Sequence, residues 1–105
     1  MASSVFSNGL GLAGKKTVDA AGTAEALVSA ATNGSDHYKS VTLKALAANA
    51  GQVYVGGSDV ASSTNVGLDA GDSITLSSST KMLNLSDIYI DVGTNDDGVD
   101  FYALR

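Results

Sequence analysis

The groups in this 105-residue chain best suited to moving a proton or holding an ion near neutral pH are one histidine, one glutamate and ten aspartates. His37 lies in Ser35-Asp36-His37-Tyr38-Lys39. Asp36 is its neighbour, but adjacent strand residues point to opposite faces, and a Ser-His-Asp triad needs three groups converging on one point. The spacing favours an exposed or strand-edge histidine. Asn95-Asp96-Asp97-Gly98-Val99-Asp100 invites a calcium test. With Gly98 as the loop glycine of an EF-hand, the first and last ligand positions fall on Gly93 and Leu104, which offer no carboxylate. A looser cation site from Asp91, Asp97 and Asp100 competes with plain turn chemistry, and the turn is the commoner use. Asp69 and Asp72 flank Gly71 in a polar turn, where both stay ionised rather than splitting into an acid and a nucleophile. Gly56-Gly57-Ser58 lacks the Lys-Ser/Thr and the helix N-terminus of a phosphate loop. No catalytic, metal or cofactor site is expected, and the chain is not expected to be an enzyme.

The remaining candidates are contact residues. Tyr54, Tyr89 and Tyr102 fall at positions opposed to the apolar side of their strands. They suit a protein interface more than a sugar platform. Residues 1–14 hold Val5, Phe6, Leu10 and Leu12 among Gly, Ser and Ala, with Gly9, Gly11 and Gly14 close together. Such a stretch loses too much backbone entropy to fold alone and reads as a flexible N-terminal arm, either frayed or ordered on a partner through those four side chains.

Residues 15–105 must supply the scaffold, and their pattern is all-β. Thr17 and Val18 suggest a strand at 15–19. In an Ala-rich stretch, Ala24, Ala26 and Val28 alternate with Glu25 and Leu27, suggesting another at 23–29. Val41, Leu43 and Ala45 alternate with Ser40, Thr42 and Lys44; Val53 and Val55 bracket Tyr54; Ile74 and Leu76 bracket Thr75. Ile88, Ile90 and Val92 alternate with Tyr89 and Asp91, and Val99, Phe101 and Ala103 with Asp100, Tyr102 and Leu104. Val60, Val66 and Leu68 are expected to plug one end of the core. Asn49-Ala50-Gly51, Asp69-Ala70-Gly71-Asp72 and Asn95-Asp96-Asp97-Gly98 read as turns, the last as a hairpin. Seven to eight short strands at even spacing predict an antiparallel β-sandwich or jelly roll.

Composition narrows the partners. A net charge of −5 offers no counterion release on nucleic acid. No apolar run approaches the ~18 residues of a membrane span. Met1 to Phe6 shows no basic segment leading into an apolar one, so no secretory signal is expected. Without cysteine there is neither a disulfide nor a thiolate metal site. Hydrophobic residues make up 44%, but much of that is alanine. A chain so poor in large apolar side chains gains from burying surface against a partner.

From Lys39 on, the chain resembles a family of small tailed-phage virion proteins, the capsid decoration or cement proteins. The resemblance rests on Lys39-Ser40-Val41-Thr42-Leu43-Lys44-Ala45-Leu46-Ala47-Ala48-Asn49 and Gly51-Gln52-Val53-Tyr54-Val55-Gly56. It continues in Leu68-Asp69-Ala70-Gly71-Asp72-Ser73-Ile74-Thr75-Leu76, then Leu85-Ser86-Asp87-Ile88-Tyr89-Ile90-Asp91, and Gly98-Val99-Asp100-Phe101. Ala21-Gly22-Thr23-Ala24 fits the strand that usually precedes this block, and the order and spacing carry more than any single piece. The resemblance implies a non-enzymatic β-sandwich on the outer surface of the virion, made in the host cytoplasm. Its partners would be the major capsid protein and further copies of itself, often as a homotrimer. It also leaves open a tail, neck or head-fibre component. A carbohydrate-binding attachment module is the rival of a different class.

Overall fold

The computed structural model describes residues 11–28, 37–63, 65–77 and 83–104. Its strands are β1 (Gly11–Thr17), β2 (Glu25–Ala26), β3 (His37–Tyr38), β4 (Ser40–Ala45), β5 (Val53–Gly56), β6 (Gly67–Leu68), β7 (Ser73–Ser77), β8 (Leu83–Asn84), β9 (Tyr89–Val92) and β10 (Gly98–Leu104), with a 3-10 turn at Leu85–Asp87. Two four-stranded antiparallel sheets pack together: sheet A in the order β1-β10-β4-β7 and sheet B in the order β2-β9-β5-β6. β3 and β8 form a separate short pair. Leaving that pair aside, the first strand bonds the last, the second the next to last, and so inward to β5 and β6. Nested pairing of this kind across two sheets is the jelly roll.

The core is the set of inward positions. Val41, Leu43 and Ala45 on β4 face Val99, Phe101 and Ala103 on β10 in register, and all six are buried. Val53, Ile90 and Val92 supply sheet B's side, with Val18, Leu27, Leu85 and Ile88 closing the ends. Each fully buried Val, Leu or Ile contributes about 1.5–3 kcal/mol relative to exposure. Tyr38 is also buried in this cluster.

Several expectations need correction. The first strand runs over Gly11–Thr17, so residues 11–14 belong to the sheet rather than to an arm. β2 keeps only two paired residues, and Leu27 is the one that reaches the core, donating its N–H to the Ile88 carbonyl. An Ala-rich segment has few side chains to hold a longer strand in place. Of the three expected plugs, Val60 is buried and Leu68 packs against the core, but Val66 is 92% exposed. The turn at 95–98 does not make a hairpin: β9 lies in sheet B and β10 in sheet A, so the chain crosses between sheets there. So too do the connections at 46–52 and 69–72.

Candidate interaction surfaces

The connections 18–24, 46–52, 69–72 and 93–97 all join one sheet to the other, and the antiparallel strand directions bring them to one end of the sandwich. Several of their polar side chains bind backbone. The Asp97 carboxylate, 6% exposed, accepts from the Ala50 N–H at 3.1 Å and the Gly51 N–H at 2.8 Å. Asn49 copies a strand pair with its side chain: its Nδ2 donates to the Gly98 carbonyl at 2.8 Å and its Oδ1 accepts from the Gly98 N–H at 3.0 Å. Asn95 Oδ1 accepts from the Ala21 N–H. The backbones join as well, Val18 N–H to the Asp97 carbonyl and Asp96 N–H to the Val18 carbonyl.

Asp91 was expected to face outward with Tyr89. It is on the outer face, yet only 2% exposed, because Gly22 lies over it and donates its N–H to Oδ1 at 2.9 Å; the Val92 N–H donates to the same oxygen at 2.8 Å. Thus Asp91 and Asp97 hold backbone amides on separate connections, while Asp100 is exposed on sheet A. The three do not converge, and among the described residues no group of acidic and histidine side chains is placed to hold a metal ion. Asp69 accepts from Gln52 Nε2 at 2.9 Å and its own N–H donates to Asp72 Oδ2 at 3.2 Å, so this exposed pair shapes its turn. His37 pairs through its backbone with Asn84.

From edge strand β1 of sheet A, the partly exposed Lys16 reaches Glu25 on edge strand β2 of sheet B, Nζ to Oε1 at 2.7 Å. That hydrogen bond, with the lysine's charge added, holds the Glu25 carboxyl below its usual range against a smaller opposing effect of burial.

The outer face of sheet A is largely polar. Register places Lys15, Asp100, Lys44 and Ser73 in one cross-strand row. The next row is Ala13, Tyr102, Thr42 and Thr75, where the two threonine hydroxyls lie 3.1 Å apart. Tyr102 and Leu104 stand exposed on this face. On the outer face of sheet B, Tyr54 pairs with Asp91 and Tyr89 with Gly56, which makes the two rings diagonal neighbours; both are half-buried. The three tyrosines therefore divide between opposite faces of the sandwich, two and one. No single sugar-binding platform joins them. Leu12 sits in β1 opposite Ala103. Val5, Phe6 and Leu10 lie outside the described residues.

The described residues enclose no pocket. The latch formed by Asn49, Asp91 and Asp97 is what sequence reasoning missed: Asn49 and Asp97 stand in turn-like runs and Asp91 in a strand, but the partner of each lies 46 to 69 positions away. Comparison of the chain with family models, curated proteins and solved structures returned no match.

Proposed function

We propose that this chain is a structural virion protein, a decoration (cement) protein that binds the outside of an assembled phage head. The jelly roll alone does not decide this, because that scaffold serves capsid and lectin domains alike. The observation that carries the reading is the division of labour among the side chains. The buried carboxylates fasten the chain's own connections, while the apolar side chains left over, Val66, Ile74, Tyr102 and Leu104, lie on the exterior. That arrangement suits burial against other proteins and gives a substrate no convergent groups. The run of segments from Lys39 to Phe101 that resembles the decoration family supports the same reading.

The mechanism is mass action. A protein that binds only the expanded shell stabilises it by the free energy of that binding. Many copies in a symmetric lattice add to one another's hold. Residues 1–10 would supply an arm with Val5, Phe6 and Leu10 as its contacts, alongside Leu12 at the sheet margin.

The test is to add the purified chain to expanded heads that lack it and to follow occupancy and the temperature at which heads rupture. Saturable binding with a raised rupture temperature is expected, and deletion of residues 1–10 should reduce occupancy without changing the domain's melting. Absence of binding to heads would end the proposal. Glycan binding lost on Tyr89→Ala would move the assignment to an attachment module.

A further inference from the structure

The two long outer strands of sheet A differ in how they meet a newcomer. β1 carries Lys15 and Lys16 beside Gly11 and Gly14, and lysines at an edge discourage another strand. β7 is Ser73-Ile74-Thr75-Leu76-Ser77, with no charge, no proline and no glycine.

The backbone of β7 is half used. The Ala45 N–H donates to the Asp72 carbonyl at 2.8 Å, and Lys44 stands opposite Ser73. Bonded and non-bonded pairs alternate along an antiparallel ladder. Lys44–Ser73 is therefore a non-bonded pair, whereas Leu43–Ile74 and Val41–Leu76 are bonded. It follows that the N–H and C=O groups of Ser73, Thr75 and Ser77 point away from β4. No described residue bonds them.

The strand also reads the same in both directions: Ser, aliphatic, Thr, aliphatic, Ser. We infer that β7 docks a second copy of this chain, the two β7 strands pairing antiparallel about a two-fold axis at Thr75, so that two sheets A become one continuous sheet. In that register Thr75 faces its own counterpart as a bonded pair and Ser73 faces Ser77, which satisfies every outward N–H and C=O on both strands. Ile74 of one copy lies beside Leu76 of the other on the core side. Ile74 is 37% exposed, and Val66 lies on the same flank, just before the sheet B edge strand β6. On the outer side, the Thr42–Thr75 hydroxyl pair continues into its symmetry mate.

Charge fits as well. Asp19, Asp69, Asp72 and Asp96 are exposed at the Ser73 end of the sandwich, and antiparallel docking turns the two acidic ends away from each other. A different partner would have to match an uncharged, palindromic edge, and the chain itself already does. Such an edge is isologous and closes at two copies. The inference does not depend on the capsid reading.

The test is sedimentation velocity of the full chain up to about 300 μM, because an edge this short buries less than the roughly 1,200 Å² of a standard interface. Hydrogen exchange is read at both ends of the range. The expected result is a monomer–dimer equilibrium in which the amides of Ser73, Thr75 and Ser77 become protected only at high concentration, while those of Ile74 and Leu76 are protected throughout. Thr75→Pro removes an N–H that bonds no described residue and is tolerated at an edge. Thr75→Lys sets two ammonium groups face to face. Each should weaken dimerisation at least about tenfold with the monomer still folded; if the proline variant fails to fold, the lysine variant decides. A wild-type chain that stays monomeric, a trimer, or a dimer retained by either folded variant would overturn the inference.

Discussion

Removing the Asp97 carboxylate should loosen the whole latched end of the sandwich. Two N–H groups, of Ala50 and Gly51, donate to it at 3.1 and 2.8 Å, and the residue is 6% exposed. Hydrogen bonds to a charged acceptor contribute roughly 1.5–3 kcal/mol each. Ala50 is exposed, so water can replace part of what its N–H loses. Gly51 is half-buried, and a methyl group there would meet Thr94 Oγ1 at 2.8 Å, so its N–H is less easily rehydrated. The two together give about 2–3 kcal/mol for Asp97→Ala. Asp97→Asn keeps the shape but turns one acceptor into a donor facing a donor, and should cost at least about half as much. For a domain of this size about 1 kcal/mol corresponds to roughly 4–8 °C, so Asp97→Ala should lower Tm by at least about 8 °C. Urea unfolding should show a lower midpoint with an unchanged slope. Measurements belong at low concentration, where association does not add to stability. Asp59→Ala, an exposed acid, is the control and should stay within about 0.5 kcal/mol of the parent. If Asp97→Ala also falls within about 0.5 kcal/mol, the carboxylate is not fastening the connections and the reasoning fails.

The pair Lys16–Glu25 predicts a pH dependence. Because the folded state holds the Glu25 carboxyl below its usual 4.5, its contribution is complete above the unfolded value and disappears as pH falls through the folded one. The stability gap between the parent and Glu25→Gln, under about 1 kcal/mol for a pair this exposed, should therefore be present at pH 7 and close in acid; a gap that widens in acid would reverse the sign. Ile90→Ala should cost about 2–5 kcal/mol by chemical denaturation, since Ile90 is fully buried, and a loss below about 0.5 kcal/mol would place it outside the core. Gly98→Ala should destabilise by more than about 2 kcal/mol, because a methyl group there runs into the Lys16 carbonyl and the Thr17 Cα, both backbone; full tolerance would mean that β1 and β10 are not so close. EDTA should leave Tm unchanged, and a clear drop would show a bound metal ion.

Alternation made the long strands legible. Over β4, β9 and β10 every second residue is apolar, and a one-residue slip would expose the whole set, so the buried face could be read directly. The expected Val41, Leu43, Ala45, Ile90, Val92, Val99, Phe101 and Ala103 are the buried ones. Alternation names a face, however, and not a sheet. Asn95-Asp96-Asp97-Gly98 has the residues of a hairpin, and Asp96 does adopt the left-handed backbone such turns use, with φ of 71°. The same chemistry carries the chain from one sheet to the other. What separates the two outcomes is pairing with distant segments, which one-dimensional spacing does not contain. Val66 and Asp91 failed for a related reason. An apolar residue in a connection has no partner strand to fix its side, and an acid in a strand is buried only because a segment 69 positions away covers it.

Consequences for function follow from where the polar groups are engaged. Asn49, Asp91 and Asp97 are committed to backbone within the chain, so changes there should act on folding first and on association only through folding. Thr75 and Tyr102 are exposed on sheet A, outside the core, so changes there should act on association first and leave the isolated domain's melting nearly unaltered. Comparing melting with assembly for one variant of each kind separates scaffold from contact surface. If the Asp97 variant lost assembly at full stability, or the Thr75 variant lost stability at full assembly, the connections rather than the sheets would be the surface that meets other proteins.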